Sequence, residues 1–282
     1  MIQIGYTKNE IEDYMLNLRA QIIADYLHPF KDEIKSLYNW KFDIESLIAL
    51  NIMNVSEIQK LKDCSENVYE KEILLKKCLS EYLNFECSSS KIPTDNFKKI
   101  CDWIVRNWGG IKTGELKIDL ELIDKIKTSD LPFERIASYS KIASFLNPSK
   151  QIIYDSRVAY SLNWILLSST KINSDFFPIP EGRNSKLIAF DMNVLIHLIL
   201  IDKFQDSIEK LTDKYFINTI DKELYIYKNE AYSILNELIN LAHKKLWGDD
   251  DIELFKTEML LFSIADHQII KDIIQKTTIT IQ

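Results

Sequence analysis

The sequence predicts an all-α protein, and three observations predict it. Only six glycines and six prolines are spread over 282 residues, too few for the turn every 8–12 residues or so that a β-sandwich needs. Large aliphatic and aromatic residues, within a hydrophobic share of 46%, recur at three- and four-residue intervals, the period of a helix with one apolar face. Ser, Thr, Asp or Asn stands ahead of several such runs, where a side-chain oxygen can accept from a free helix amide. The length supplies ample material for a core, as one large domain or two of ordinary size. The aromatic content argues against disorder.

The first helix spans 9–27, with Asn9 as its cap, and breaks at His28-Pro29. Helical spacing resumes over 30–50, 55–63 and 66–86, with Ser56 and Ser65 as caps. The tract Ser88-Ser89-Ser90-Lys91-Ile92-Pro93 reads as a linker and divides an N-terminal helical region, 1–90, from a second helical domain, 91–282. Thr94-Asp95-Asn96 opens the next helix, which carries Trp103 as a core residue and ends at Trp108. Residues 109–114, GGIKTG, hold three of the six glycines and mark a loop with unusual backbone demands. A helix over 119–127 follows, and Ser129-Asp130-Leu131-Pro132 starts another over 132–146, ended by Asn147-Pro148. After the turn SKQIIY, Asp155 caps the helix SRVAYSLNWILLSS. A loop at 176–186 leads into an apolar helix over 187–201, and helices near 205–213, 222–247 and 251–275 complete the chain.

Charge excludes less than its total suggests. The chain nets −7, with 35 Lys and Arg against 42 Asp and Glu, which by itself argues against a nucleic-acid partner. Residues 91–190, however, hold 15 Lys and Arg against 11 Asp and Glu, a net +4, and the remainder nets −11. Cys64, Cys78, Cys87 and Cys101 have no metal-knuckle spacing, and no Glu-bearing pair of histidines at i, i+4 suggests a zinc hydrolase. No metal and no cofactor is expected. The run Val194–Ile201 is too short to span a bilayer, and His197 within it reads as a hydrogen-bonded core residue. The N-terminus does not read as a signal peptide, so reduced thiols and a cytoplasmic location are expected. GGIKTG lacks the spacing of a nucleotide-binding P-loop and follows a helix rather than a strand.

The chemistry concentrates in SKIASFLNPSKQIIYDSRVAYSL, residues 140–162. A lysine near the start of one helix, Lys141, and a carboxylate at the cap of the next, Asp155, are brought toward one cleft by the short connection. A lysine in a low-dielectric pocket can lose its proton and act as a nucleophile, while a cap carboxylate stays ionised and can face a developing positive charge. The bland alternative is a solvated lysine and an ordinary cap.

This segment resembles the core of the helix-hairpin-helix DNA glycosylases, in particular bacterial 8-oxoguanine-glycosylase-like proteins. Further similarity lies in FPIPEGRN (177–184) and EMLLFSIAD (258–266), so the resemblance covers roughly residues 100–275. It implies a glycosylase-like helical domain over 91–282 and a DNA partner whose modified base is flipped out, removed and replaced by an abasic site. Lys141 takes the place of the Schiff-base lysine and Asp155 that of the catalytic aspartate. Arg157 then falls near the DNA backbone, and Ser138, Tyr139, Ser140, Lys112 and Arg106 join it as DNA contacts. Trp108, Phe145, Glu258 and Phe262 are the implied base-pocket residues, the last two at i, i+4 on one helix. Two departures stand out: Ala137 and Tyr139 occupy places where the family's hairpin has glycines, and the Lys-to-Asp interval is shorter than usual. No cluster-binding cysteines follow Asp155, which excludes the iron–sulfur subclass. Lys141 as a phosphate contact, with Asp155 activating water, is the alternative mechanism. Oxidised purines are the family's usual substrate, and hypermodified phage bases, removed in phage defence, are the other candidates. A non-catalytic DNA-binding or scaffold protein that keeps the fold is the rival from another class.

Overall fold

The computed structural model describes residues 7–53, 55–63, 67–89, 92–182, 184–200 and 214–278. The fold is all-α. Among the described residues the only β-type pairing is an isolated bridge between Phe176 and Tyr225, and no helix is long and apolar enough to cross a membrane.

Helix α1 (Lys8–Leu27) starts from Thr7 rather than Asn9. The Thr7 hydroxyl accepts from the Glu10 amide, and the Glu10 carboxylate accepts from the Thr7 amide at 2.7 Å, a reciprocal capping box. The expected helix over 30–50 is two short pieces, α2 (Ile34–Leu37) and α3 (Ile44–Ile48). Between them the chain is extended at Tyr38, which delivers the rings of Tyr38 and Trp40 into the interior. Helix α4 (Val55–Asp63) contains Ser56, so Ser56 is not its cap, and Ser65 lies outside the described residues. Asn67 caps α5 (Val68–Ser89), accepting from the Tyr69 amide at 2.9 Å.

Thr94 caps α6 (Asp95–Trp103), which widens into a π-helical turn at Ile104–Trp108, closed by Gly109 N–H donating to the Ile104 carbonyl at 2.8 Å. Helix α7 (Leu120–Thr128) ends at Ser129 in the left-handed conformation. A short 3₁₀ turn at Phe133–Arg135 then feeds α8 (Ile136–Leu146), and α9 (Ser156–Ser168) starts from Asp155. The expected helix at 187–201 is interrupted at Phe190–Asp191, giving α10 (Ser185–Ala189) and α11 (Met192–Ile199). Two further expected helices are also divided, into α12 (Phe216–Leu224) with α13 (Ala231–Trp247), and α14 (Phe255–Ile264) with α15 (Gln268–Lys276). The first of these breaks has a tertiary cause. Ile226 N–H donates to the Phe176 carbonyl at 2.9 Å, and Phe176 N–H to the Leu224 carbonyl at 2.8 Å, in place of helical bonds. The helix expected at 205–213 lies outside the described residues.

One hydrophobic core runs from Ala20 on α1 to Ile273 on α15 and continues past residue 90. Helix α1 packs along α13 and α9, α5 packs on α8, and α14 packs on α9 and α2. The 1–90 region is therefore built into the same core as the rest, and the linker composition near 90 does not mark a break in packing. Trp103 and Trp164 are among the largest fully buried side chains, each with its indole N–H satisfied, by Ser46 and Asp272 respectively. Contrary to the expectation of a core residue, His197 lies on a partly exposed face between the Asn193 carbonyl and Asp221.

Candidate active site

The segment Gln151–Tyr154 is irregular and buried between helices, so the amides of Ile152, Ile153 and Tyr154 need partners that no helix or sheet supplies. Three elements supply them. Ile152 N–H donates to Asn236 Oδ1 on α13 at 3.0 Å, Ile153 N–H to Glu258 Oε2 on α14 at 3.3 Å, and Tyr154 N–H to Ser140 Oγ on α8 at 2.9 Å. Tyr232 also donates to the Ile152 carbonyl at 3.1 Å. These bonds hold the approach to α9, and with it the position of Asp155. Asp155 Oδ1 accepts from the Val158 amide at 3.0 Å, the ordinary bond of an N-cap. Beside this helix start, a surface cleft of about 220 Å³ is lined by Ser156, Tyr160, Pro180, Gly182, Asn184 and Asp191 among others.

Lys141 lies on α8 facing inward and is only 6% exposed. Its ammonium donates to the Ala137 carbonyl at 3.0 Å. Burial lowers its proton affinity; the Asp155 and Glu258 carboxylates oppose that shift, and the nearby Lys76 adds to it. The lysine stem passes against Gly109, where an added Cβ would stand 2.6 Å from Lys141 Cδ. The glycine-rich loop thus bears on the lysine: at Gly109 it leaves room for the lysine side chain. The π turn that precedes it is a distortion often found at functional sites.

Two charged residues that the sequence reading did not single out complete the cluster. Glu72 and Lys76 sit on α5 with 0% and 1% exposure, and Glu258 on α14 with 4%. Lys76 Nζ lies 3.7 Å from Glu258 Oε2 and 4.8 Å from the centre of the Phe145 ring, with the Trp108 and Phe255 rings slightly farther away. Glu72 Oε2 accepts from the Trp108 indole N–H at 2.9 Å, while Glu72 Oε1 is buried with no partner. Burial pushes the Glu72 carboxyl up to about 7 against the pull of Lys76 and the Trp108 bond. Burial likewise raises Glu258, with Lys76 opposing. Their legible signal was position: residues 72 and 76 share the helical stripe of Leu75, Leu79 and Leu83, where charge is out of place.

Aromatic rings enclose this cluster. Trp108 meets Phe145 edge-on at 5.0 Å and Trp40 at 6.2 Å, and Phe262 meets Trp40 at 5.5 Å and Tyr38 at 6.3 Å. The Trp40 indole donates to the Trp108 carbonyl at 3.0 Å, fastening the extended 38–43 segment over the π turn.

The structure thus gathers Lys141, Asp155, Glu258, Phe262, Trp108 and Phe145 around one centre. The expected DNA contacts fare differently. Ser138, Tyr139 and Ser140 are buried within α8, and Ser140 is occupied with Tyr154, so none of the three presents to a phosphate in this conformation. Ala137 and Tyr139 likewise fall inside the helix, whereas the connection from α7 to α8 is made by 129–135. Arg106 pairs with Asp102 at 2.6 Å and donates to the carbonyls of Lys112 and Gly114, so it staples the loop. Arg157 lies over the Phe262 ring at 4.6 Å and pairs with Asp266 at 3.2 Å. Lys112 alone of these residues has an exposed side chain. Phe145 is wholly buried, part of the wall's packing rather than an open lining. Cys78, Cys87 and Cys101 are free thiols, and Cys64 lies outside the described residues.

Comparison of the chain with protein-family models, with curated proteins and with solved structures finds no match to any of them.

Proposed function

We propose that the chain is a cytoplasmic DNA glycosylase that flips a modified base out of the duplex and excises it. One observation carries the reading: a buried lysine with lowered proton affinity shares an aromatic-walled centre with the cap carboxylate of the next helix. An amine that burial makes easier to deprotonate, beside a cap carboxylate, suits substitution at a carbon that becomes positive as its leaving group departs. Lys141 suits the nucleophile better than Lys76. Its ammonium meets only a backbone carbonyl at hydrogen-bond distance, whereas Lys76 faces the Glu258 carboxylate.

In this mechanism the C1′–N bond breaks with its electron pair leaving on the base, which takes up a proton. The Asp155 carboxylate faces the charge growing at C1′. The Lys141 lone pair then closes on C1′ and the resulting ammonium gives up its proton; as the nitrogen lone pair forms the C=N bond, C1′–O4′ breaks, O4′ takes up a proton, and an iminium on the open sugar is left. Water hydrolyses that iminium to an abasic site, or elimination from it cleaves the strand.

The test is borohydride trapping on duplexes that carry 8-oxoguanine or glucosylated 5-hydroxymethylcytosine. The iminium should be captured as a covalent adduct, and Lys141→Ala should lose it entirely. Base release without any adduct would refute the lysine's role and leave Asp155 activating water. Asp155→Asn should slow release by about 10²–10³-fold while DNA binding persists, the scale of losing one preorganised electrostatic group.

One observation favours the rival reading of a binder or scaffold that keeps the fold: Lys141 and Glu258 are both closed off from solvent. A scaffold releases no base and is indifferent to Asp155→Asn, so the same measurements separate the two.

A further inference from the structure

Glu72 has no role in the chemistry above, yet its environment is unusual. It is fully buried, and only one of its two carboxyl oxygens is used. A buried acceptor without a donor costs about 1–3 kcal/mol, more when charged, so such a group is rare in a finished core. Its surroundings are flat and aromatic: Trp108 holds one oxygen, and Trp40 and Phe145 pack against Trp108. Lys76 and Glu258 act on Glu72, whereas the charges that act on Lys141 are Asp155, Glu258 and Lys76. Tyr38 lies within the field of Glu72, Glu258 and Asp155 together.

We propose that Glu72, supplied by α5 of the N-terminal region, is a specificity residue that accepts a hydrogen bond from an N–H or O–H donor on the extruded base. This rests on the base-excision reading. Aromatic rings receive a flat heterocycle, and the free Oε1 receives a donor on its edge or substituent. Lys76 lies along the same face one turn later and holds Glu258 on α14. The ligand class is a nucleobase rich in donors. The ring N–H groups of an oxidised purine and the hydroxyls of a glucosylated pyrimidine both meet that description.

Glu72→Gln tests the assignment sharply. The amide can keep the Trp108 bond only by placing its NH₂ where Oε1 stands, which replaces an acceptor with a donor. The measurements are single-turnover base release at pH 8 from duplexes with 8-oxoguanine or glucosylated 5-hydroxymethylcytosine, and borohydride capture of a preformed abasic duplex. The expected result is a loss of about 10–100-fold in base release, the scale of a hydrogen bond to a charged group, with capture of abasic DNA unchanged. A loss confined to the 8-oxoguanine duplex assigns ring N–H donors, and one confined to the glucosylated duplex assigns hydroxyls. Base release equal to wild type on both overturns the proposal while leaving base excision intact. A wild-type protein that neither releases base nor captures abasic DNA overturns both. Retained abasic capture also shows that the variant is folded. If Glu72→Gln does not fold, Glu72→Asp withdraws the carboxylate by one methylene; it should slow base release in the same assay, and unchanged release again overturns the proposal.

Discussion

The buried centre and the exposed loop at 109–114 handle charge in opposite ways. In the centre, Glu72, Lys76, Lys141 and Glu258 are removed from water and incompletely paired: Lys141 meets a carbonyl, and one oxygen of Glu72 meets nothing. At the loop, Arg106 satisfies Asp102 and two carbonyls at once. Arg157, outside the centre, is also committed to Asp266. The difference teaches where to look for chemistry. Charge paired at a surface contributes little and performs a structural task, whereas charge kept unpaired in a core is expensive and implies a use beyond stability.

The largest expected effect on that contrast is the pH dependence of Glu72. Its folded carboxyl lies near 7 against an ordinary 4.5. The folded protein therefore binds this proton more tightly than the unfolded chain does. The stabilisation is fully present below pH 4.5 and is lost as pH rises through about 7. The stability of wild type relative to Glu72→Gln should fall across that window by on the order of 3 kcal/mol, the equivalent of the shift. Melting curves of both proteins at several pH values measure it. A difference that stays flat with pH would mean that Glu72 is hydrated, and the contrast between centre and surface would collapse.

Gly109 links the two regions and comes next. A Cβ there would lie 2.6 Å from Lys141 Cδ and 2.8 Å from the Val105 carbonyl oxygen. The lysine stem can move aside, but the backbone carbonyl cannot do so cheaply. Gly109→Ala should cost about 1–3 kcal/mol, as overpacking usually does, and should slow borohydride capture by displacing Lys141. Unchanged stability with unchanged capture would show that the loop does not hold the lysine.

The smallest effects belong to the surface. Lys112→Ala should weaken DNA binding evenly across sequences and lower the salt slope by about one. Arg106→Ala should leave that slope unchanged while increasing proteolytic nicking at 109–114. Binding titrations at several salt concentrations, with limited proteolysis, distinguish an exposed phosphate contact from a staple. A drop in slope for Arg106→Ala would mean that it exchanges its internal partners for phosphate.

Much of the outline was legible locally. Asp155 as the cap of α9, Thr94 as the cap of α6 and the end of α8 at Leu146 all follow from residues within a turn of the boundary. Where the reading ran too long, a distant partner had intervened. Helix 222–247 breaks because Phe176 takes the hydrogen bonds at 224–226, and helix 30–50 breaks at Tyr38, whose ring is needed beside Phe262. Ser138, Tyr139 and Ser140 looked available beside Lys141 because nothing in their neighbourhood reveals that α5 covers α8.

The sequence by itself determined the helical class, the starts of α6, α7 and α9, and the placement of a lysine and a cap carboxylate on either side of a short connection. Each depends on propensity, capping and period, which act over a few residues. The tertiary structure alone decided that Glu72 and Lys76 join that pair, that Arg106 and Arg157 are spent on internal partners, and that Gly109 lies against Lys141. The physical reason is that the state of a charge depends on what surrounds it in space. Its cost, its proton affinity and its freedom to act are set by the solvent it loses and the partners it meets, and those come from elements far away in the chain.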